Sequence, residues 1–210
     1  MIGVFDYGIG NLASAYKALV KVGADAKLIT ASESLNGLQG LVLPGVGAFG
    51  SCVNAIREMG FDNLIVSAVE REIPFLGICI GMQVLFENSQ EDPLVEGLGL
   101  FKGSIEKIQG DVKLPQMQWN ELEFEKGQTS ELLKGIEVEP WVYFVHSYAA
   151  NPDIVRDKEL KVVATCQYGS DVVAMVEKDK VYGVQFHPEK SGKVGLRLLS
   201  NFVELCGVSR

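Results

Sequence analysis

Gly77-Ile78-Cys79-Ile80-Gly81 follows the apolar run Ile73-Pro74-Phe75-Leu76 and precedes the helix-compatible stretch Met82-Gln83-Val84-Leu85-Phe86. This order is typical of a strand, a sharp turn and a helix, as in the nucleophile elbow G-x-S-x-G, with cysteine in place of serine. Glycines on both sides of the turn let the strand and the helix approach closely. At a helix N-terminus the amide dipoles favour a thiolate over a thiol. The pattern therefore predicts a nucleophilic Cys79, although a buried cysteine between two packing glycines would match it too.

Length and composition indicate a globular protein with a substantial core. The chain has 210 residues, of which 47% are hydrophobic and 22% charged, and we expect one domain spanning residues 1–210. The net charge of −8 argues against nucleic-acid binding, which usually needs a basic surface. The four cysteines are widely spaced, so we expect no metal site. Neither a signal peptide nor a membrane-length apolar stretch is present, so we expect a cytoplasmic protein without a membrane partner.

The two halves of the chain have different patterns. Apolar runs and helical spacing predict strands at residues 2–5, 26–29 and 41–43, and helices at residues 12–20, 51–59 and 62–71. Further along, strands are predicted at residues 105–108, 120–124, 141–145, 161–168, 172–178 and 181–186, before a helix at residues 194–205. We therefore predict an α/β fold with a mixed, mostly parallel central sheet flanked by helices, and an antiparallel extension of that sheet.

The turn after the first predicted strand could be mistaken for a cofactor site. Gly8, Gly10 and Ala13 match G-x-G-x-x-A, and Glu33 lies near the position of a ribose-binding acid. The fingerprint is short, and a tight strand-to-helix turn requires the same glycines. We therefore favour a turn over a dinucleotide site.

A glycine-rich loop, Pro44-Gly45-Val46-Gly47-Ala48-Phe49-Gly50, follows the third predicted strand. Its bare amides can bind an anion. Phosphate is one candidate, although the loop lacks the Lys-Ser/Thr of a P-loop. An oxyanion is the other, because elbow hydrolases use the amide after the nucleophile and a second amide from an earlier loop. Here these amides belong to Ile80 and to residues 45–47.

Only two histidines, His146 and His187, are available as the base that a cysteine nucleophile needs. His187 follows a predicted strand, where open sheets carry their sites. Glu189 lies two residues later, and its carboxylate can accept the far imidazole proton as the third group of a triad. His146 also ends a strand but has no carboxylate close in sequence. We therefore assign His187 as the base and interpret His146 as a structural histidine bonded to the backbone.

These motifs resemble those of a known family. Gly77-Ile-Cys79-Ile-Gly81-Met-Gln83 and Gln185-Phe-His187-Pro-Glu189 resemble the signatures of class I, triad-type glutamine amidotransferases, over essentially the whole chain. Within that family, further segments resemble the glutaminase subunits of imidazole glycerol phosphate synthases, which act in histidine biosynthesis. These segments are Asp6-Tyr-Gly-Ile-Gly-Asn11, Pro44-Gly-Val-Gly-Ala-Phe49, Tyr143-Phe-Val-His-Ser-Tyr148 and Lys190-Ser-Gly192.

The resemblance implies a reaction and a set of residues. The reaction is hydrolysis of glutamine to glutamate and ammonia through a thioester, with no metal or organic cofactor. The implied residues are a triad of Cys79, His187 and Glu189, oxyanion amides at Val46, Gly47 and Ile80, and glutamine contacts at Gly45, Gln83, Ser147 and Tyr148.

The resemblance also implies a partner in trans, because this chain contains no synthase domain. In the family the partner is a (β/α)₈ cyclase, which forms a heterodimer with the glutaminase. With the released ammonia it makes imidazole glycerol phosphate and an aminoimidazole carboxamide nucleotide. The implied docking residues are Asn11, Trp119, Tyr143 and Lys190.

One segment departs from the family pattern. Gln116-Met-Gln-Trp-Asn120 stands in place of His-Met-Gly-Trp-Asn, so Gln116 and Gln118 do not match. By resemblance this segment lies near the synthase contact. The alternatives are a paralogous glutaminase that serves another ammonia-using synthase, a stand-alone cysteine hydrolase or peptidase, and a catalytically silent binding subunit.

Overall fold

The computed structural model describes residues 1–9, 11–30, 35–127, 129–137, 139–155 and 158–207. Gly10 and Glu33, which belong to the possible dinucleotide fingerprint, lie outside these residues. Across the described residues, every helix is too short or too polar to traverse a lipid bilayer.

The elements before the elbow follow the order of strands and helices that the sequence predicts. The elements before Cys79 are β1 (Ile2–Phe5), α1 (Leu12–Lys21), β2 (Ala26–Ile29), β3 (Gly40–Leu43), α2 (Phe49–Glu58), α3 (Phe61–Glu70) and β4 (Phe75–Ile78). The elements after it are α4 (Ile80–Gln83), β5 (Phe86–Ser89), β6 (Phe101–Lys107), β7 (Gln116–Glu121), β8 (Glu123–Phe124), β9 (Trp141–His146), β10 (Tyr148–Ala149), β11 (Lys161–Tyr168), β12 (Ser170–Lys178), β13 (Val181–Val184) and α5 (Gly192–Leu205). Short 3-10 turns lie at Glu131–Leu133, Pro152–Ile154 and Pro188–Lys190.

Within the described residues, an eight-stranded sheet has the order β2-β1-β3-β4-β13-β12-β11-β8. The strands from β2 to β13 in this order are parallel, and β12, β11 and β8 extend them in antiparallel fashion. In the smaller sheets, β6 pairs with β10 on one side and β5 on the other, and β7 pairs with β9. The predicted mixed sheet with an antiparallel extension is therefore confirmed.

Helices cover both faces of the large sheet. Successive side chains of a strand point to opposite faces. Leu41 and Phe75 thus pack in the core that α2 and α3 cover, whereas Val42 and Leu76 pack in the core that α1 and α5 cover. This sandwiched arrangement buries β3 and β4 completely. The carboxyl ends of these strands, and of β13 between β4 and β12, carry the site described below.

The structure corrects the prediction for the residues after Cys79. The helix predicted through Phe86 is limited to the short α4, and Phe86 instead begins β5, which pairs in parallel with β6. Residues 81–86 are all buried. An unbroken apolar run of this kind does not distinguish a buried helix from a buried strand. In addition, β7 begins at Gln116, before the strand predicted at residues 120–124, and β10 is not among the predicted strands.

Candidate active site

Cys79 lies at a strained turn between β4 and α4. Its φ is 55° and its ψ is −112°, a backbone conformation that residues other than glycine rarely adopt. Its backbone N–H donates to the carbonyl oxygen of Val184 at 2.7 Å, which holds the turn against β13. Strain of this kind costs about 1–3 kcal/mol, and it is found at functional sites where the surroundings enforce it.

The glycines on either side of Cys79 leave room for neighbouring backbone. A Cβ at Gly77 would lie 2.5 Å from the carbonyl oxygen of Gly81. A Cβ at Gly81 would lie 1.9 Å from the carbonyl oxygen of Leu43, in β3. Because backbone atoms cannot move aside cheaply, both positions require glycine. The G-x-C-x-G pattern therefore reflects the close packing of β3, β4 and α4.

Gly81→Ala is expected to lower the free energy of unfolding by about 3 kcal/mol, near the upper end of the usual cost of overpacking. The added methyl group would overlap the Leu43 carbonyl oxygen, and denaturant titration followed by circular dichroism measures the loss. Gly60→Ala is the control, because Gly60 has a φ of +70° with open space around a Cβ. That change should cost only about 1 kcal/mol of left-handed strain. Equal losses at the two positions would contradict the packing argument.

His187 and Glu189 form a buried pair just beyond β13. The backbone N–H of His187 donates to the carbonyl oxygen of Tyr143 at 2.9 Å, which fixes the chain against β9. Its Nδ1–H donates to Oε1 of Glu189 at 2.8 Å, and the two side chains are only 1% and 3% exposed. The carboxylate therefore fixes both the tautomer and the orientation of the ring, and it leaves Nε2 for other partners.

Opposing effects set the pKa of His187. Burial disfavours the imidazolium and lowers the pKa. Hydrogen bonding and charge interactions with Cys79 and Glu189 outweigh burial and raise the pKa to about 9. His187 is therefore protonated at neutral pH. The positively charged imidazolium therefore interacts directly with the side chain of Cys79.

A cavity of about 310 Å³ opens over Cys79. This volume is near the lower end of the range for small-molecule sites and suits a ligand of amino-acid size. The cavity is lined by Val46, Gly47, Cys79, Ile80, Gln83, Glu91, Val145, His146, Ser147, Tyr148 and Lys190. The structure thus brings together residues from the elbow, the glycine-rich loop and the β9–β10 segment. Among the described residues, no group of three or more His, Cys, Asp and Glu side chains is placed to hold a metal ion.

The glycine-rich loop reaches the elbow from the end of β3. Val46 and Gly47 line the cavity. Gly45 lies behind them instead, where a Cβ would be 2.3 Å from the hydroxyl oxygen of Tyr7. That hydroxyl donates to the carbonyl oxygen of Pro44 at 2.7 Å. The loop is therefore anchored at its start, while Val46 and Gly47 in its middle face the cavity.

His146 lies on the cavity wall in a different state from His187. Its Nδ1–H donates to the carbonyl oxygen of Tyr148 at 3.0 Å, the backbone bond expected of a structural histidine. Burial lowers the pKa of His146 to about 4, with a smaller lowering by the charge of His187 and against the effect of the Tyr148 bond. The ring is therefore neutral at physiological pH, with its proton on Nδ1.

Glu91 also lines the cavity, and it is not among the site residues predicted from the sequence. It follows β5, and its Oε2 accepts a hydrogen bond from the backbone N–H of Phe49 at 2.8 Å. The carboxylate is thus held at the N-terminus of α2, where the helix dipole favours negative charge. The residue belongs to no motif. Only the packing of β5 and α2 around the elbow places it near Cys79.

Exposed aromatic side chains lie beside the cavity on the β7–β9 ladder. Trp119 and Tyr143 are opposite each other, with ring centroids 6.2 Å apart. Met117 and Trp141 share the same face of the ladder and are 61% and 54% exposed. We call these four residues the aromatic face. Lys190 connects this face to the cavity, which it lines, because its Nζ lies 5.8 Å from the ring centroid of Tyr143.

The residues that depart from the family pattern occupy two different places. Gln116 is fully buried, and its Nε2 donates to Sγ of Cys166 at 3.9 Å, in the core beneath the aromatic face. Gln118 is exposed. Asn11, the fourth predicted docking residue, precedes α1, a helix that packs against the turn carrying Lys190.

Comparison with known proteins identifies the family. Residues 3–206 match the model of the family described as glutamine amidotransferase class-I. The imidazole glycerol phosphate synthase subunit HisH of Caldanaerobacter subterraneus subsp. tengcongensis is 43% identical over 98% of this chain and 98% of its own length. The subunit of the same name from Geobacillus thermodenitrificans is 46% identical over 97% of this chain and 95% of its own length.

A solved structure agrees with these relatives. A crystal structure of a glutamine amidotransferase superposes with a TM-score of 0.75 at 25% identity, covering 99% of this chain and 99% of that chain. The resemblance read from the motifs is therefore confirmed. The chain belongs to the class-I glutamine amidotransferase family and, within it, to the group of imidazole glycerol phosphate synthase subunits represented by these relatives.

Proposed function

We propose that this chain is the glutaminase subunit of an imidazole glycerol phosphate synthase, which hydrolyses glutamine and delivers the ammonia to a separate cyclase subunit. One observation carries the proposal. Cys79 lies on a strained elbow beside the buried His187–Glu189 pair, under a cavity of about 310 Å³. The names of its relatives support the same assignment.

The first half of the reaction breaks the amide bond of glutamine. The sulfur of Cys79 attacks the carbonyl carbon of the side-chain amide, and the C=O π electrons move to oxygen. The backbone amides of Val46, Gly47 and Ile80 stabilise this oxyanion. His187 then gives its Nε2 proton to the nitrogen as the C–N bond breaks. Ammonia leaves, and a thioester remains on the sulfur.

The second half hydrolyses the thioester. His187, now neutral, takes a proton from water, and the hydroxide attacks the thioester carbon. The tetrahedral intermediate collapses by expelling the sulfur of Cys79 as a thiolate, and glutamate leaves. Glu189 keeps the imidazole oriented throughout, with its proton on Nδ1. Both groups end in their starting states, so the cycle consumes one glutamine and one water.

The remaining cavity residues are proposed to hold the amino-acid end of glutamine. Gln83, Ser147 and Tyr148 line the same cavity as the glycine-rich loop. The carboxylate of Glu91 offers an acceptor for the α-ammonium group. Gly45 acts indirectly in this scheme, because it keeps the loop closely packed against the elbow.

The proposal assigns residues 1–210 to one glutaminase domain that acts in the cytoplasm. The family match covers nearly all of this length. A thiol nucleophile needs reducing surroundings, which the cytoplasm provides. The four cysteines, all within the described residues, are free thiols.

Released ammonia must be captured at once, because it is protonated or lost to water at neutral pH. We therefore place the partner over the cavity, on the aromatic face together with Lys190 and Asn11. The partner is a (β/α)₈ cyclase that acts on a phosphoribulosyl-formimino aminoimidazole nucleotide. With the ammonia it closes the ring of imidazole glycerol phosphate and releases an aminoimidazole carboxamide nucleotide.

A glutaminase that serves a different synthase is the second candidate, because Gln116 and Gln118 replace the His and Gly of the family pattern. Gln116, however, is fully buried and cannot contact a partner. Only Gln118 changes the exposed surface. One of the two departures therefore concerns core packing and leaves the docking surface unchanged, which favours the imidazole glycerol phosphate synthase.

Adding the cyclase and its nucleotide substrate is expected to raise glutamine turnover by at least ~10²-fold, the cost of one missing oxyanion donor. Rotation of the peptides around Val46 would supply that donor, and glycine neighbours make the rotation inexpensive. A coupled glutamate assay, with the chain alone and with the cyclase, measures the ratio. Gly47→Pro should flatten the response while Cys79 remains open to alkylation, because proline removes an amide donor.

A synthase from another pathway serves as the control and should give no stimulation. Stimulation by that synthase instead of the cyclase would favour the paralogous glutaminase. Full-speed hydrolysis by the isolated chain, unchanged by any synthase, would contradict the proposed partner and favour a stand-alone hydrolase.

A further inference from the structure

Gln185 is fully buried next to the elbow and has no part in the reaction as described so far. Its backbone N–H donates to the carbonyl oxygen of Ala174 at 2.9 Å, which fixes its main chain against β12. Its side-chain Nε2 lies 3.7 Å from Sγ of Cys79, where it donates a hydrogen bond to the sulfur. A buried amide thus contacts the reacting atom from within the core.

The direction of this hydrogen bond follows from a chain of contacts that begins at Tyr148. Its carbonyl oxygen can only accept, so Gln83 must present Nε2 to it, at 2.8 Å. The same Nε2 lies 2.9 Å from the Gln185 side chain, which must therefore present Oε1. The remaining end of the Gln185 amide, its NH₂ group, then faces the sulfur.

The carbonyl oxygen of Tyr148, where this series of contacts begins, is itself held in place. The carbonyl oxygen of Tyr148 also accepts the Nδ1–H of His146 at 3.0 Å, so both of its lone pairs are used. The two N–H groups of Gln83 are likewise used, on Tyr148 and Gln185. A flip of Gln83 would set its Oε1 against the carbonyl oxygen of Tyr148, and a flip of Gln185 would set its Nε2 against the Nε2 of Gln83. The arrangement therefore holds an N–H donor permanently against the sulfur.

We propose that Gln185 is a catalytic residue, whose side-chain N–H stabilises the thiolate form of Cys79 and aims its sulfur at the glutamine amide. The proposal rests on the nucleophilic role of Cys79. A thiolate accepts hydrogen bonds more strongly than a thiol, so a fixed donor favours the charged form. The chain of contacts also connects the sulfur to Tyr148, on the wall where glutamine is proposed to bind.

Other groups around Cys79 also influence its charge, and the test must separate them from Gln185. The imidazolium of His187 interacts with Cys79, and Glu189 holds the ring in place. The remaining titratable groups that line the cavity or interact with Cys79 are Tyr7, Cys52, Glu91, His146, Tyr148 and Lys190. All of these remain unchanged when only residue 185 is replaced.

The experiment measures the rate at which iodoacetamide alkylates Cys79 in the full chain between pH 5 and pH 10, by mass spectrometry of the Cys79 peptide. Gln185→Met keeps the size of the side chain and removes the hydrogen-bond donor. The pH at which the alkylation rate of Cys79 rises should therefore increase by about one unit, which corresponds to a tenfold change in thiolate fraction. Gln185→Glu keeps the shape of the side chain but places a carboxylate against the sulfur. The upward shift of the alkylation profile should therefore be larger for this variant than for Gln185→Met. A residue that only filled space would not produce this order.

Gln116→Met is the matched control. Gln116 is equally buried, and its Nε2 contacts the sulfur of Cys166 at 3.9 Å, so the change removes the same kind of amide–sulfur contact away from Cys79. Its Cys79 profile should coincide with that of the wild type. Thermal denaturation checks that each protein is folded. Where Gln185→Met lowers stability too far, the isosteric Gln185→Glu supplies the test.

Turnover in the complex with cyclase and nucleotide gives a second readout. Gln185→Met should lower kcat about tenfold with little change in KM, because the amide touches the nucleophile and not the substrate. Unshifted alkylation profiles in both Gln185 variants would overturn this inference and leave the proposed function standing. Undiminished turnover by Cys79→Ala would instead overturn the proposed function, so the two failures are distinguishable.

Discussion

Cys79→Ala is expected to reduce glutamine hydrolysis to background in the complex with cyclase and nucleotide, a loss on the order of 10⁶-fold by analogy with removing the nucleophile of a serine hydrolase. Without the sulfur no thioester can form. The oxyanion amides and His187 then have no tetrahedral intermediate on Cys79 to stabilise or protonate. The measurement is glutamate release at saturating glutamine. Cyclase activity supplied with ammonium salts should survive, because that route bypasses the glutaminase.

Labelling distinguishes a nucleophile from a structural cysteine. A glutamine-like electrophile should modify Cys79 alone, because burial raises the pKa of the other thiols, to about 11 for Cys52 and about 12 for Cys166 and Cys206. These three should stay protonated and unreactive at pH 7. Labelling spread over all four cysteines, or turnover retained by Cys79→Ala, would contradict the assignment of the nucleophile.

The elbow could be predicted from sequence because its requirements are local. Cys79 needs a strand before it, a helix after it and glycines at fixed spacing, and all of these can be read within about ten residues. The structure gives the glycines a cause that the pattern alone does not contain. Gly81 is required by the backbone of β3, a strand distant in sequence. The pattern could therefore be recognised from sequence, whereas the physical reason for its glycines is visible only in the structure.

Elements after the elbow were harder to predict because tertiary packing decides them. The run that ends at Phe86 is buried on every side, so it shows neither helical nor strand periodicity. Its identity as β5 depends on a parallel partner, β6, which begins 15 residues later at Phe101. Single-sequence patterns do not contain that pairing.

Tertiary packing also explains why the roles of Glu91 and Gln185 were not predicted from sequence. Glu91 reaches the cavity because β5 and α2 meet near the elbow, and its neighbours in sequence carry no motif. Gln185 was visible within the motif that ends in Glu189, but its contact with Cys79 joins the segment after β13 to the elbow. A motif identifies which residues occur together. The geometry shows what each of them touches.

His187→Asn is expected to lower turnover by the ~10²–10⁴-fold typical of a lost general acid–base, measured in the same complex. His146→Asn should cost much less, because His146 is neutral and bonded to the backbone. Both histidines lie near Cys79, so the comparison tests their chemistry under similar burial. Equal losses from the two changes would contradict the assignment of the base.

The pH dependence of the wild-type enzyme tests the same assignment in a second way. Interactions with Cys79 and Glu189 overcome burial and raise the pKa of His187 from 6.5 to about 9, so the imidazolium that protonates the leaving nitrogen is present at neutral pH. Turnover should therefore fall as the pH rises through about 9, and the residual activity of His187→Asn should not show this fall.

The charged ring of His187 also stabilises the folded protein, and this stabilisation depends on pH in the same direction as turnover. It is complete below about pH 6.5 and is lost as the pH rises through about 9, so thermal denaturation of the two proteins should converge above that pH.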